Sequence, residues 1–191
     1  MKKLHELISV RCGLTCRSAL VPDPDGNLLL LQLKDAYPGH DWQDGPPIRV
    51  RAADLPRPYL LSAGDFIFRA RGVRHFLLPA PVFTLPLACV SPLMSVRILD
   101  SRLLLPEYLL WYVNTDYAQS QLMASPHRTG RLQLRTRALL ELELPLPSLP
   151  RQAEIVELFE QARAWSEREV TLAQHRLQQT TASLLHYAGE T

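Results

Sequence analysis

The sequence predicts an α+β protein: a mixed domain over residues 1–147, then one long coiled-coil-like helix over residues 148–191. Three observations carry this. In Leu142–Gln152 an apolar alternation (Leu142, Leu144, Leu146) ends, and prolines follow at 145, 147 and 150. Each proline fixes φ and lacks an N–H, so the run stops both sheet and helix. Ser148 can cap the next helix with Pro150 in its first turn, and no Pro or Gly occurs from Arg151 to Tyr187. Upstream, short apolar runs are separated by Gly, Pro and Asp turn chemistry, with one amphipathic segment among them.

The elements follow in order. Leu4, Leu7 and Ile8 fit a helical turn, followed by a strand through Val10 and a turn over Gly13–Ser18. Asp23-Pro24-Asp25-Gly26-Asn27 is turn chemistry, with Gly and Asn tolerating positive φ. Leu28 to Leu33 reads as a buried strand. Residues 37–58 form a loop-rich insertion around the alternating Ile48-Arg49-Val50-Arg51. A turn at Gly64-Asp65 leads into the strand Phe66-Ile67-Phe68, and residues 80–87 and 88–98 read as further strands. Leu105 to Met123 reads as one helix with a stripe of Leu109, Leu110, Tyr112, Val113 and Tyr117. Trp111 and Tyr112 are assigned to core packing rather than base stacking. Ser125–Gly130 is a polar loop, and Leu139–Leu146 a closing strand.

Composition narrows the function. The chain has 191 residues, 47% of them hydrophobic, which supports a packed core. No apolar run reaches the roughly 18 residues of a membrane span; the nearest, Leu77 to Met94, is broken by four prolines. No apolar leader segment follows Met1-Lys2-Lys3, so a cytoplasmic protein is expected. Cys12, Cys16 and Cys89 are odd in number and form no C-x-x-C pair, and are expected to be buried, reduced thiols rather than a zinc site. Net charge is +2, distributed unevenly: residues 1–147 carry 17 Lys and Arg against 13 Asp and Glu, residues 148–191 carry 4 against 6. Any nucleic-acid contact therefore belongs to the first part.

Two basic clusters are candidates. Arg69, Arg71 and Arg74 follow a strand, with Arg69 and Arg71 expected on one face, small neighbours and no adjacent acid. They suit phosphate or base contact; a solvated strand end is the alternative. His75 is expected at the surface. Arg128, Arg131, Gln133 and Arg135, with Arg137 beyond, form the second cluster. The helix carries Ile155, Leu158, Ala162, Trp165, Leu172, Leu177 and Leu184 among apolar residues at mixed three- and four-residue spacing, interrupted at Glu169 and Arg176. At ~1.5 Å per residue it is about 55 Å long, more than a domain this size can cover. A second copy or another chain is therefore expected along it; folding back on its own domain is the alternative.

Leu144-Pro145-Leu146-Pro147-Ser148-Leu149-Pro150-Arg151-Gln152-Ala153-Glu154-Ile155-Val156 resembles the segment opening the long helix in specificity (S) subunits of type I restriction-modification systems. Upstream stretches agree in order: Cys16-Arg17-Ser18, Pro22–Gly26 and Leu31–Asp35; Ser62–Gly72 around Gly64-Asp65; Leu105-Pro106-Glu107-Tyr108-Leu109 through Asn114; and Gly130-Arg131-Leu132-Gln133-Leu134. The resemblance implies a target-recognition domain (1–147) reading double-stranded DNA, then a helical spacer that pairs with a second helix and docks partners. Those partners would be a methyltransferase subunit, which uses S-adenosylmethionine, and a restriction subunit. This chain would be non-catalytic and without cofactor or metal. With one domain and one helix it resembles a half-subunit, which would homodimerise and read a bipartite site in phage defence.

No P-loop, G-x-S-x-G, H-E-x-x-H, G-x-G-x-x-G, N-P-P-Y or acid–acid–lysine nuclease signature occurs, in keeping with a binding module. Two alternatives stand beside it: a protein-interaction adaptor of a defence complex that keeps the fold without binding DNA, motivated by the modest charge, and a hydrolase using Asp65 and a histidine.

Overall fold

The computed structural model describes residues 1–16, 19–42, 45–52, 57–129 and 133–189. It divides into two compact units, Met1–Gln152 and Ala153–Thr191. The elements are β1 (Lys2–Lys3), β2 (Ile8–Cys12), β3 (Leu28–Leu31), β4 (Ile48–Val50), β5 (Leu60–Leu61), β6 (Phe66–Arg69), β7 (Phe76–Pro79), β8 (Leu87–Cys89), β9 (Leu93–Ile98), α1 (Pro106–Asn114), α2 (Asp116–Ala124), β10 (Arg128–Thr129), β11 (Gln133–Leu134), α3 (Thr136–Leu140), β12 (Glu143–Leu144) and α4 (Leu149–Gly189). The fold is mixed α+β with a long C-terminal helix, as the sequence predicts.

Two four-stranded sheets form the body of the first unit, in the orders β2-β9-β6-β7 and β4-β3-β8-β5. The first is antiparallel throughout; in the second, β3 and β8 run parallel. Side chains alternate across a strand, and the core follows that period. Leu29 and Leu31 of β3 and Leu87 and Cys89 of β8 pack with Ile67 of β6 and Leu93 of β9, joining the two sheets. The opposite faces put Leu28, Leu30, Val50 and Ala88 into a second cluster. Both faces of β3 are thus covered, which is why four consecutive leucines are needed. Each fully buried leucine contributes about 1.5–3 kcal/mol.

The turn before β3 works differently from the sequence expectation. Asp25 and Gly26 donate their N–H groups to Asp23, but Gly26 does not take positive φ. Glycine is required because a Cβ would lie 2.3 Å from the Val50 carbonyl oxygen of β4.

Several expected boundaries shift, each for a local reason. Residues 80–86 form no strand, since Pro81 and Pro86 remove ladder donors. Residues 88–98 divide into β8 and β9 around a turn with a cis Ser91–Pro92 bond. The expected helix 105–123 is two helices. Thr115 is extended (ψ 151°); its hydroxyl donates to the Tyr112 carbonyl (2.7 Å) and accepts from the Ala118 N–H (3.2 Å). Tyr117, expected in the apolar stripe, is exposed as a result. Residues 139–146 give the end of α3 and the short β12, which pairs with β1. Cys12 and Cys16 are exposed, and only Cys89 is buried.

Two side chains close this unit. Asn114 accepts from the Leu77 N–H (3.0 Å) and donates to the Leu77 carbonyl (2.8 Å), so its amide extends the hydrogen bonding of edge strand β7. Gln152 is fully buried. Its Oε1 accepts from the Leu105 N–H, and its Nε2 donates to the Leu103 and Pro147 carbonyls, each at 2.9 Å. The first turn of α4 therefore belongs to the globular unit.

The second unit is the rest of α4. The whole helix has 41 residues, about 62 Å at ~1.5 Å per residue. Thr171, Thr180, Thr181 and Ser183 donate to carbonyls four residues back, which satisfies their hydroxyls within the helix. No described helix is long and apolar enough to cross a membrane.

Candidate nucleic-acid interface

One end of the two sheets gathers the chemistry. β6 ends at Arg69, beside Leu93 of β9 and Phe76 of β7. The chain continues extended, and the β10–β11 hairpin crosses it. Leu134 N–H donates to the Ala70 carbonyl (2.8 Å), and Arg71 bridges Gln133. The two clusters read separately in the sequence, 60 residues apart, thus meet at Arg71–Gln133. Gly72 holds the following bend at φ 142°, a conformation L side chains rarely adopt.

The predicted residues differ in what their side chains do. Arg71 is exposed and makes no side-chain bond among the described residues. Arg69 is half-buried and faces inward. Its Nε donates to the Arg71 carbonyl (3.1 Å) and its Nη1 to the Ala36 carbonyl (3.0 Å). It is a clamp between two chain segments. Arg74 has an acidic partner after all: Asp116, at the start of α2, lies 3.0 Å from its Nη2, which also donates to the Asn114 carbonyl. Sequence adjacency could not show an acid 42 residues away. Arg128 is half-buried and donates to the Met123 carbonyl (2.8 Å). Gln133 is half-buried and Arg135 is exposed at the N-terminus of α3. Arg131 lies outside the described residues, as do Arg17 and Ser18.

His75 is fully buried rather than at the surface. Its ring stacks on Phe68 with centroids 6.1 Å apart, and Nδ1 donates to the Arg69 carbonyl (3.2 Å). Burial holds the imidazole below its usual range, the Arg69 carbonyl opposes this, and the Arg128 and Arg69 charges reinforce it. A neutral histidine thus underlies the arginine-bearing edge.

The structure adds one cation that charge clustering overlooked. Lys34 is exposed on the turn after β3, and its ammonium makes no bond among the described residues. That turn is firm: Asp35 is buried, its carboxylate accepts from the Gln32 N–H (2.8 Å), and its own N–H donates to the Gln32 carbonyl (3.0 Å). Arg69 anchors Ala36 just beyond, so Lys34 belongs to the same end as Arg71. Lysine and arginine together there suit an anionic backbone, and glutamine suits a base edge.

Asp65, the acid of the hydrolase alternative, is buried under Arg97. Arg97 Nε donates to its Oδ1 (2.6 Å) and Nη2 to its Oδ2, while Ser62 N–H occupies Oδ2 as well. Both oxygens are engaged structurally. Among the described residues no cluster of three His, Cys, Asp or Glu could hold a metal.

Along α4, Ile155 is half-buried, while Leu158, Ala162, Trp165, Leu172, Leu177 and Leu184 are exposed, Trp165 by 67% and Leu177 by 68%. These side chains leave an exposed apolar surface along the helix.

No family model matches the sequence, and no curated protein matches it. Solved structures do. The HsdS subunit from Thermoanaerobacter tengcongensis matches over 86% of this chain at 21% identity and a TM-score of 0.62. The type I restriction-modification S subunit from M. genitalium matches over 91% at 15% identity and a TM-score of 0.53. A structure describing complex assembly and conformational transition of a type I restriction-modification system matches over 85% at 21% identity and a TM-score of 0.51. This chain spans 37–40% of the length of those chains. The fold is that of type I restriction-modification specificity subunits.

Proposed function

We propose that this protein is a non-catalytic DNA sequence-recognition subunit of a type I-like restriction-modification system. The observation that carries the reading is the likeness of fold across at least 85% of the chain. The sheet end bearing Lys34, Arg71, Gln133 and Arg135 supports it. In this reading the cations contact phosphates for affinity, and Gln133 and one arginine read base edges. Two copies pair through the exposed stripe of α4, so that two such ends read the halves of a bipartite site. The paired helices then present a docking surface for a methyltransferase subunit carrying S-adenosylmethionine, and for a restriction subunit in a cytoplasmic phage-defence complex.

One observation favours a second reading, the adaptor that binds no DNA: Arg69 and Arg74 are engaged within the chain, and net charge is only +2. Light scattering followed by retention of a random duplex pool separates the two. The DNA reading expects a dimer that enriches a two-part palindrome and loses affinity steeply with salt, through counterion release. A chain that retains no duplex at low salt would establish the adaptor.

A further inference from the structure

We propose that the turn Gln32–Ala36 and the Tyr37 that follows it form a second DNA-reading element. Lys34 contacts a phosphate and Tyr37 a base edge, beside the Arg71–Gln133 pair. The inference rests on the DNA-recognition reading above and extends it to residues outside both arginine clusters.

The placement comes from one guanidinium. Arg69 donates to the Ala36 carbonyl through Nη1 and to the Arg71 carbonyl through Nε. The backbone entering Tyr37 and the backbone of Arg71 are therefore held on either side of a single planar group. Binding one strictly limits where the other can sit, and positioning of that kind is what a recognition surface needs. The clamp uses Arg69's donors inward, so Arg69 is a positioning residue and the contacts fall to its neighbours.

Those neighbours have the chemistry. Lys34 projects from a turn whose only acid, Asp35, is buried and satisfied, so a positive charge is presented without a competing carboxylate on that turn. Lysine is a compact point charge suited to phosphate. Tyr37 is 45% exposed, and its hydroxyl has no partner among the described residues. Its ring packs edge-on against His40 (centroids 4.7 Å apart), which packs edge-on against Trp42 (4.4 Å). His40 is tethered through Nε2, 2.8 Å from the Gly45 carbonyl. A tyrosine with one edge fixed and one edge free offers apolar contact to a thymine methyl and a hydroxyl to a base acceptor, with little ordering cost on binding.

The test uses the full-length protein, Lys34→Ala and Tyr37→Ala, each screened against a random duplex pool and then titrated with the retained duplex at several salt concentrations. Lys34→Ala is expected to weaken all duplexes alike and to flatten the log-log salt slope by about 0.9, one phosphate's worth, leaving the enriched motif unchanged. Tyr37→Ala is expected to keep the slope and lose discrimination at one position of the motif, by about 5- to 150-fold. If the unaltered protein enriches a motif and both variants match it in slope and motif, the second element is wrong and the recognition reading stands. If the unaltered protein retains no duplex, both fall. Lys34 makes no bond among the described residues, so its arm stays decisive should Tyr37→Ala unsettle the loop around His40.

Discussion

Replacing Gln152 with alanine tests whether the first turn of α4 is structural to the globular unit. The side chain is fully buried and makes three hydrogen bonds of 2.9 Å, to Leu105, Leu103 and Pro147. Each bond contributes about 0.5–1.5 kcal/mol net, and each buried group left unsatisfied costs about 1–3 kcal/mol. Leu103 is 48% exposed, so its carbonyl regains water and its share is discounted. Two uncompensated groups remain, which puts the expected loss at about 2–6 kcal/mol. For a unit of this size that corresponds to a fall in Tm of roughly 4–24 °C. Urea denaturation followed by far-ultraviolet circular dichroism and by tryptophan fluorescence measures it. Gln152→Glu should be at least as harmful, because a carboxylate oxygen would face the Leu103 and Pro147 carbonyls. A loss below about 1 kcal/mol for Gln152→Ala would refute the assignment of Gln152 as the tie between helix and domain.

Other perturbations have defined outcomes. Asn114→Ala removes both bonds to Leu77 on β7 and should cost about 1–3 kcal/mol in the same denaturation assay; an unchanged midpoint would show that β7 is held without it. Cys12 and Cys16 are exposed, while burial pushes the Cys89 thiol up to about 12, so a disulfide-exchange reagent should titrate two thiols in the native protein and the third only in denaturant. His75 is held neutral in the fold, with its pKa below the unfolded value of about 6.5. The unfolded chain therefore takes up the proton first as pH falls, and the stability that His75 contributes is lost below about pH 6.5. Urea midpoints at pH 7.5 and 5.5 should show a smaller drop for His75→Gln than for the unaltered protein; equal drops would dissociate the histidine from the pH response.

What could be read from residues alone divides along physical lines. The buried strand Leu28–Leu31 and the helix launched after Pro147 were legible because they depend on local pattern: a continuous apolar run in one, proline placement and absence of breakers in the other. The break at Thr115 was not, because a threonine that caps one helix and ends another looks like any mid-helix polar residue until its hydroxyl partners are known. The interface was legible in part. Arg71 and Gln133 stood out by type, but only strand pairing shows that they meet. The partners of Arg69, Arg74 and His75, with Ala36, Asp116 and Phe68 among them, come together only by tertiary folding, so neither the internal bonds of the two arginines nor the burial of the histidine shows in the sequence. Lys34 does not stand out in the sequence because it is a single charge on a short turn; only the Arg69 bond to the Ala36 carbonyl shows that it lies at the same end as Arg71.

The pairing of Lys2–Lys3 with Glu143–Leu144 sets an order of events during synthesis. The first strand of the chain waits for nearly the last residues of the globular unit, and Gln152, later still, secures the loop at Leu103–Leu105. At ~5–20 residues per second, roughly 7–30 s pass before this closure is available. The two four-stranded sheets have their strands by Ile98, so they can assemble first. In that interval the Leu4 N–H lacks the Leu142 carbonyl, and the Tyr108 and Tyr112 hydroxyls lack the Pro145 and Glu143 carbonyls that later accept from them. The emerging chain is thus most exposed to wrong association just before its long helix appears, and weakening of Gln152 should show up as lost soluble yield as well as lost stability.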